Sequence, residues 1–343
     1  MHFHAPESES QFIPASALVN RKSQIIIPPF IRLLPPQNRL ILPSPMNRRQ
    51  FLHRTAAVTA LAALPKLTAA TTSPAPLVGT QLYGWGQYYQ RDGKKLADHL
   101  DEILSAVCDC GYDYAETALD SAQPANNQKL ADRMKAKGLK PFSLYTNAVI
   151  YEDNQWEANT QKLITAAQAA RQAGFTSLTC DPGLSKEEKT DAQLKTQAKA
   201  LELLGTELKK IGMSLGIHHH TPALRSNARE YHSNFKLTAP DKVGFCYDVH
   251  WIFRGGVKPD DALKDYGSRI VSWHLRQSRE RIWWEDLDTG DLDYPAIAAY
   301  AKKHNLAPCY TVELALENGT KITRSVVANH QRSRAYMKSI FGC

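Results

Sequence analysis

The chain has 343 residues, of which 43% are hydrophobic and 22% charged, and its formal net charge is +8. That length encloses one large core or two small ones, and the composition excludes a disordered or fibrous chain. Residues 1–70 carry +6 of the +8, so the remainder has no basic field to steer a polyanion, and a nucleic-acid partner is excluded.

Residues 1–45 are Pro-rich and lack helical or strand periodicity; they are expected to be disordered, or an untranslated extension ahead of a natural start at Met46. From Met46 to Ala70 the chain reads MNRRQFLHRTAAVTALAALPKLTAA. Paired arginines at Arg48-Arg49, then Phe51-Leu52, a mildly apolar stretch and small residues resemble a twin-arginine signal peptide. That resemblance implies export of a folded bacterial protein to the periplasm, with the twin-arginine (Tat) export machinery as a partner. The apolar stretch is too short for a stable membrane anchor. A short linker, TTSPAP (71–76), follows.

From Leu77 onward, apolar strand-like runs alternate with helical stretches. The expected strands are 77–84, 112–119, 140–146, 175–180, 213–220, 243–250, 270–277 and 309–316. Between them lie segments of helical period such as LADHLDEILSAVCDCG (96–111), several of which end in Gly or Asn. Eight such alternations over residues 77–343 predict a (β/α)8 TIM barrel. A doubly wound open sheet is the alternative, but no G-x-G-x-x-G follows the first strand. The six cysteines, Cys108, Cys110, Cys180, Cys246, Cys309 and Cys343, make no C-x-x-C pair, and their spacing gives no disulfide framework.

In such a barrel, chemistry belongs at the C-terminal strand ends. Polar residues collect there: Glu116 on the second run, His218, His219 and His220 on the fifth, Asp248 and His250 on the sixth. The seventh offers His274 and Arg276, and the eighth Glu313 and Glu317. The first, third and fourth runs offer Tyr83 and Trp85, Tyr145, and Asp181. Side chains alternate faces along a strand, so His218 pairs with His220, Asp248 with His250, and His274 with Arg276. In that phase His219 points at the surrounding helices. Singly, each residue has a structural reading: a core histidine, Asp248 capping the next segment, Glu313 paired with Arg276 or Arg324. Jointly they would bury several polar groups without partners, at about 1–3 kcal/mol each. A shared divalent cation (Mn, Fe, Co, Ni or Zn) removes that cost.

At these residues the chain resembles the sugar phosphate isomerase/epimerase superfamily, whose members are xylose isomerase-like TIM barrels. The resemblance is carried by GIHHHTPALRSNARE, CYDVHWIFRGG, SRIVSWHLRQS, GDLDYPAI and TVELALENGTKITR. It implies a metal-ligand set of His218, Asp248, His274 and Glu313. It also implies that His220 contacts substrate near the metal, that Arg276 binds substrate oxygens, and that Glu116 lines the pocket. Two departures stand out. Family epimerases carry Glu where this chain has His218, which puts two-base epimerisation in doubt unless His220 or His250 is the second base. The family often has a His three residues after the sixth-strand Asp; here His250 is two after.

A cation and one or two bases suit proton removal next to a carbonyl, with an enediolate as the product of that step. Glu313, His220 and His250 are the expected catalytic groups. No Gly-rich phosphate loop or Lys cluster is present, so the expected substrate is an unphosphorylated sugar or keto-sugar. Tyr83, Trp85, Trp251, Trp283 and Trp284 suit either stacking on a sugar or core packing. Isomerase or epimerase is the leading reading. A β-eliminating 3-keto-glycoside lyase and a non-catalytic carbohydrate-binding barrel are the alternatives, and the oligomeric state is open.

Overall fold

The eight apolar runs become eight parallel strands: β1 (Leu77–Gln81), β2 (Tyr114–Ala118), β3 (Ser143–Asn147), β4 (Ser177–Asp181), β5 (Ser214–Ile217), β6 (Gly244–Asp248), β7 (Ile270–Leu275) and β10 (Cys309–Val312). The structure is a computed structural model that describes residues 75–343. The extension, the twin-arginine-type signal and most of the linker therefore lie outside the described residues. The strands close in the order β1-β10-β7-β6-β5-β4-β3-β2, a (β/α)8 barrel as the alternation predicts. Every residue of β4 and β6 is buried, as befits strands with helices outside and side chains filling the interior. Deep in that interior the Tyr114 hydroxyl lies 2.8 Å from Thr311 Oγ1 and donates to the Tyr310 carbonyl at 2.9 Å.

The outer helices follow the expected periodic segments. They are α1 (Leu82–Arg91), α2 (Leu100–Asp109), α3 (Asn126–Ala136), α4 (Trp156–Ala173), α5 (Asp191–Lys210), α6 (Arg225–Lys236), α7 (Val249–Arg254), α8 (Pro259–Tyr266), α9 (Tyr294–Lys303) and α10 (Val326–Phe341). Local chemistry fixes their ends. Thr190 and Gln193 form a reciprocal capping box at the start of α5, and Gly174 closes α4 at φ 114°, a conformation glycine adopts without strain. Among the described residues no helix is long and apolar enough to cross a membrane.

The strands are shorter than the apolar runs. β1 stops at Gln81 because its side-chain oxygen accepts the Tyr83 N–H and starts α1; β6 stops at Asp248, whose Oδ1 accepts the Trp251 N–H and starts α7. Tyr83, Trp85 and His250 thus sit on helices rather than strands. The expectation that Asp248 and His250 share a strand face is corrected for that reason. α1 packs directly on the chain leaving β10: a Cβ at Gly84 would lie 2.4 Å from the Leu314 carbonyl oxygen, so no larger residue fits beside Glu313.

A hairpin absent from the sequence reading rises after β7. Its strands are β8 (Ser278–Arg279) and β9 (Ile282–Trp283), joined through Glu280 and Arg281 at φ 52° and 65°. Asp291 holds one arm by accepting from Ser278 Oγ and the Arg281 N–H, each at 2.7 Å, and Glu317 holds the other by accepting the Trp283 N–H at 2.7 Å.

Candidate metal centre

Four neighbouring strands, β5, β6, β7 and β10, end in one space. His218 follows β5, Asp248 is the last residue of β6, His274 is the fifth residue of β7, and Glu313 follows β10. Each of the four offers one ligand atom, and these atoms all lie within 4.8 Å of one another. His218 Nε2 is 3.2 Å from Asp248 Oδ2, and His274 Nδ1 is 2.9 Å from Glu313 Oε2 and 4.0 Å from Asp248 Oδ2. His218, Asp248 and His274 are 2% exposed or less and Glu313 9%. His218 Nδ1 and both ring nitrogens of His274 are buried without a hydrogen-bond partner that meets normal geometry.

The electrostatics favour that donor set at His218 and Glu313, whereas His274 without a cation favours its protonated form. Burial, reinforced by His220 and His274, holds His218 well below the ordinary histidine value, in the neutral form a ligand needs. Burial alone would raise the Glu313 carboxyl, but Arg276 and His274 outweigh it and hold the group at about 2. Burial opposes charge on His274, yet Cys246 and Glu116 beside it push its pKa well above the usual range. Arg276 Nη2 bridges Asp248 Oδ2 at 3.2 Å and Glu313 Oε1 at 2.9 Å. Two carboxylates, Asp248 and Glu313, thus share one guanidinium, which leaves negative charge for a divalent cation to offset. Two imidazoles and two carboxylates fit Mn, Fe, Co, Ni or Zn.

The other expected site residues divide. His220 adjoins the centre, its ring 4.7 Å from that of His218, and its Nδ1 lies 2.5 Å from Asp181 Oδ2. Trp251 borders it, 5.0 Å from His220 and 5.3 Å from Trp283 between ring centroids, with the Arg276 guanidinium 5.3 Å above its ring. Tyr83 lies at the margin, 40% exposed, and burial of the rest with Glu313 nearby raises its hydroxyl pKa. His219 points away from the centre, packed among Tyr231, Phe235 and Phe245, with Nε2 3.1 Å from Asn234 Nδ2.

Three placements differ from expectation. Trp85 is fully buried, stacked on His330 at 4.4 Å with its Nε1 donating to Thr80; the helical turn at Leu82 carries it into the core. His250 is not among the residues whose ligand atoms converge, neither the four above nor the adjoining Asp181, His218 and His220; it is enclosed on α7, near Phe253 and Trp283, where burial and Arg276 lower it to about 3. Glu116 has no exposed surface and lies against His274, with Oε1 2.8 Å from Nε2.

One participant was seen in the sequence as a polar strand end but not singled out. Asp181, at the end of β4, is 2% exposed and accepts the Gly183 N–H at 2.8 Å on its second oxygen. Burial works against its charge, but His220, His218 and that N–H hold it at about 2. Parallel pairing of Cys180 with Ile217 is the relation that brings it beside the histidine run.

A family model described as xylose isomerase-like TIM barrel matches residues 104–339. Inosose dehydratase from Lacticaseibacillus casei is 28% identical over 92 residues, 27% of this chain and 31% of that protein, so the match spans about a third of the relative's length. Among solved structures, a sugar phosphate isomerase/epimerase from Parabacteroides distasonis superposes with a TM-score of 0.62 at 20% identity, covering 80% of this chain and 98% of that one. A 3-keto-D-glucoside 4-epimerase from E. coli gives 0.57 at 14% identity, covering 76% and 98%. With a family match over more than half its length and the closed eight-stranded barrel, the chain belongs to the xylose isomerase-like TIM barrels.

Proposed function

We propose that this chain is a divalent-metal-dependent enzyme of the isomerase/epimerase type, which removes a proton α to a carbonyl of an unphosphorylated sugar or keto-sugar. The observation that carries the reading is the convergence of His218, Asp248, His274 and Glu313 within 4.8 Å at the ends of adjacent strands. A cation held by these four would polarise a carbonyl and offset the charge that develops when the neighbouring C–H bond breaks. Glu313, ionised throughout the neutral range, is the group able to accept that proton. Arg276, already bound to Asp248 and Glu313, would steady substrate oxygens beside them. Trp251 and Tyr83 would border the sugar, and the buried walls limit water at the reacting carbon.

A second reading has its own support. His218 stands where relatives with two bases would need a carboxylate, and His220 lies at the more open side, its side chain 23% exposed and its Nδ1 tied to Asp181. A histidine so held suits protonation of a leaving oxygen, which would make the chain a carbon–oxygen lyase. The dehydratase named above is a relative of that class, over a short stretch. The twin-arginine-type segment would deliver the folded chain to the periplasm, which N-terminal sequencing of the exported product tests.

Incubation of metal-loaded protein with a free ketose in deuterium oxide, and separately with a 3-keto-glucoside, separates these readings. Deuterium uptake by the ketose without cleavage supports the isomerase, and aglycone release with an unsaturated keto-sugar supports the lyase. Less than about 0.2 metal per chain, with no activation by Mn, Co or Ni, would instead favour a carbohydrate-binding barrel without chemistry.

A further inference from the structure

Glu116 occupies a position that the family resemblance assigned to the pocket lining, and its surroundings contradict that role. The side chain is 0% exposed, and its carboxylate is enclosed by protein groups on both oxygens. Its Oε2 accepts from Ser143 Oγ at 2.5 Å and from Thr179 Oγ1 at 3.3 Å, hydroxyls carried by β3 and β4. Its Oε1 lies 2.8 Å from His274 Nε2. The opposite nitrogen, Nδ1, faces the ligand space, 2.9 Å from Glu313 Oε2 and 4.0 Å from Asp248 Oδ2.

A neutral imidazole has one N–H and one lone pair, and the partner of the first nitrogen decides where the second points its lone pair. An ionised carboxylate can only accept. A cation in the ligand space needs the lone pair of Nδ1, the nitrogen aimed at Asp248 and Glu313, and the hydrogen then belongs on Nε2, where Glu116 Oε1 lies 2.8 Å away to accept it. The two hydroxyls on Oε2 keep the carboxylate from rotating away. Carboxylates in this relation to a ligating histidine fix its ring and strengthen it as a donor.

We infer that Glu116 is a positioning residue that holds His274 in the Nε2–H tautomer and so sets the cation affinity of the centre without touching substrate. The inference rests on the metal reading proposed above. The substitution Glu116→Gln probes it sharply. Ser143 and Thr179 favour an oxygen at the Oε2 position, so the amide NH2 of the new side chain turns toward His274 Nε2. That donor favours the tautomer that cannot offer Nδ1.

The test is titration of the full chain, stripped by chelator, with Co2+ as the probe, following the visible spectrum, alongside thermal melts of the metal-free protein. The wild type is expected to bind Co2+, and Glu116→Gln to bind it about tenfold or more weakly with an altered spectrum and an unchanged KM for sugar. Ser143→Ala, which keeps the carboxylate but loosens it, is expected to show a smaller loss. Glu116→Gln with wild-type Co2+ affinity and a raised KM would overturn the inference. If Glu116→Gln does not fold, wild-type Co2+ affinity in Ser143→Ala overturns it. A wild type that takes up no Co2+ strikes the metal reading itself, and this inference with it, whereas wild type and variants that bind alike strike the role of Glu116 alone.

Discussion

His220 and the buried Asp181 form a pair in which Nδ1 meets Oδ2 at 2.5 Å, while the other carboxylate oxygen takes the Gly183 N–H. Asp181 is therefore fully engaged, and His220 has one nitrogen tied down and one without a hydrogen-bond partner among the described residues. That arrangement orients an imidazole beside the metal centre, outside the group formed by His218, Asp248, His274 and Glu313.

Replacing either member should separate chemistry from metal binding. His220→Gln is expected to lose about 100-fold or more in kcat, the lower end of what a positioned proton donor or acceptor contributes, and Asp181→Asn to lose less. Both should keep wild-type metal content by elemental analysis. Metal loss in His220→Gln matching that of His218→Ala would make His220 a ligand and remove it from proton transfer.

Glu313 is asked to do two things, so its substitution has a distinctive signature. Glu313→Gln keeps an oxygen near His274 and Arg276 but cannot take a proton, and turnover should vanish while much of the metal remains. Asp248→Ala and His274→Ala should lose metal more severely. Asp248→Ala also loses the cap that starts α7 and leaves part of the charge on Arg276 unmatched. Equal metal loss in all three variants would show that Glu313 acts mainly through ligation.

His219 is the internal control for the strand phase. Its ring is enclosed by Tyr231, Phe235 and Phe245, so His219→Ala opens a cavity of the kind that costs about 2–5 kcal/mol. The midpoint of denaturant unfolding should fall accordingly, while the folded fraction keeps its metal content and kcat. Complete inactivation of well-folded His219→Ala would invert the assignment of faces.

The barrel was legible from short-range periodicity, and the four candidate ligands from that repeat together with the family resemblance. Apolar runs of strand length gave the staves, and a repeat of two placed His218 inward and His219 outward. What escaped were events at the strand ends, where one side chain changes the path of the backbone. Gln81 and Asp248 each turn back onto an N–H two or three residues on, which carries Trp85 and His250 onto helices and out of the assigned phase. Contacts between distant segments escaped as well. Nothing near Glu116 in the sequence announces that it will lie under His274, and the hairpin turn at Glu280-Arg281 lacks the Asn or Gly that usually marks a positive-φ turn.

His330 governs a prediction about acid. Its ring is fully buried on α10, stacked on Trp85 with Nδ1 3.1 Å from the Tyr112 hydroxyl, and burial lowers its pKa to about 3. In the unfolded chain the same group titrates near the ordinary histidine value of about 6.5. Between those values the unfolded state binds a proton that the folded state refuses, so stability falls as pH drops through that window. For one group the slope is about 1.4 kcal/mol per pH unit. His330→Phe keeps a ring against Trp85 and removes the titration. It gives up the Tyr112 contact, so its stability at pH 7.5 is expected to be somewhat lower than wild type. Its unfolding free energy, measured by urea titration from pH 7.5 to 4.5, should nevertheless decline less steeply than that of wild type, so the gap between the two narrows or reverses in acid. Parallel declines in the two proteins would mean that His330 takes up its proton in the folded state, which its enclosure by Trp85 and Tyr112 argues against.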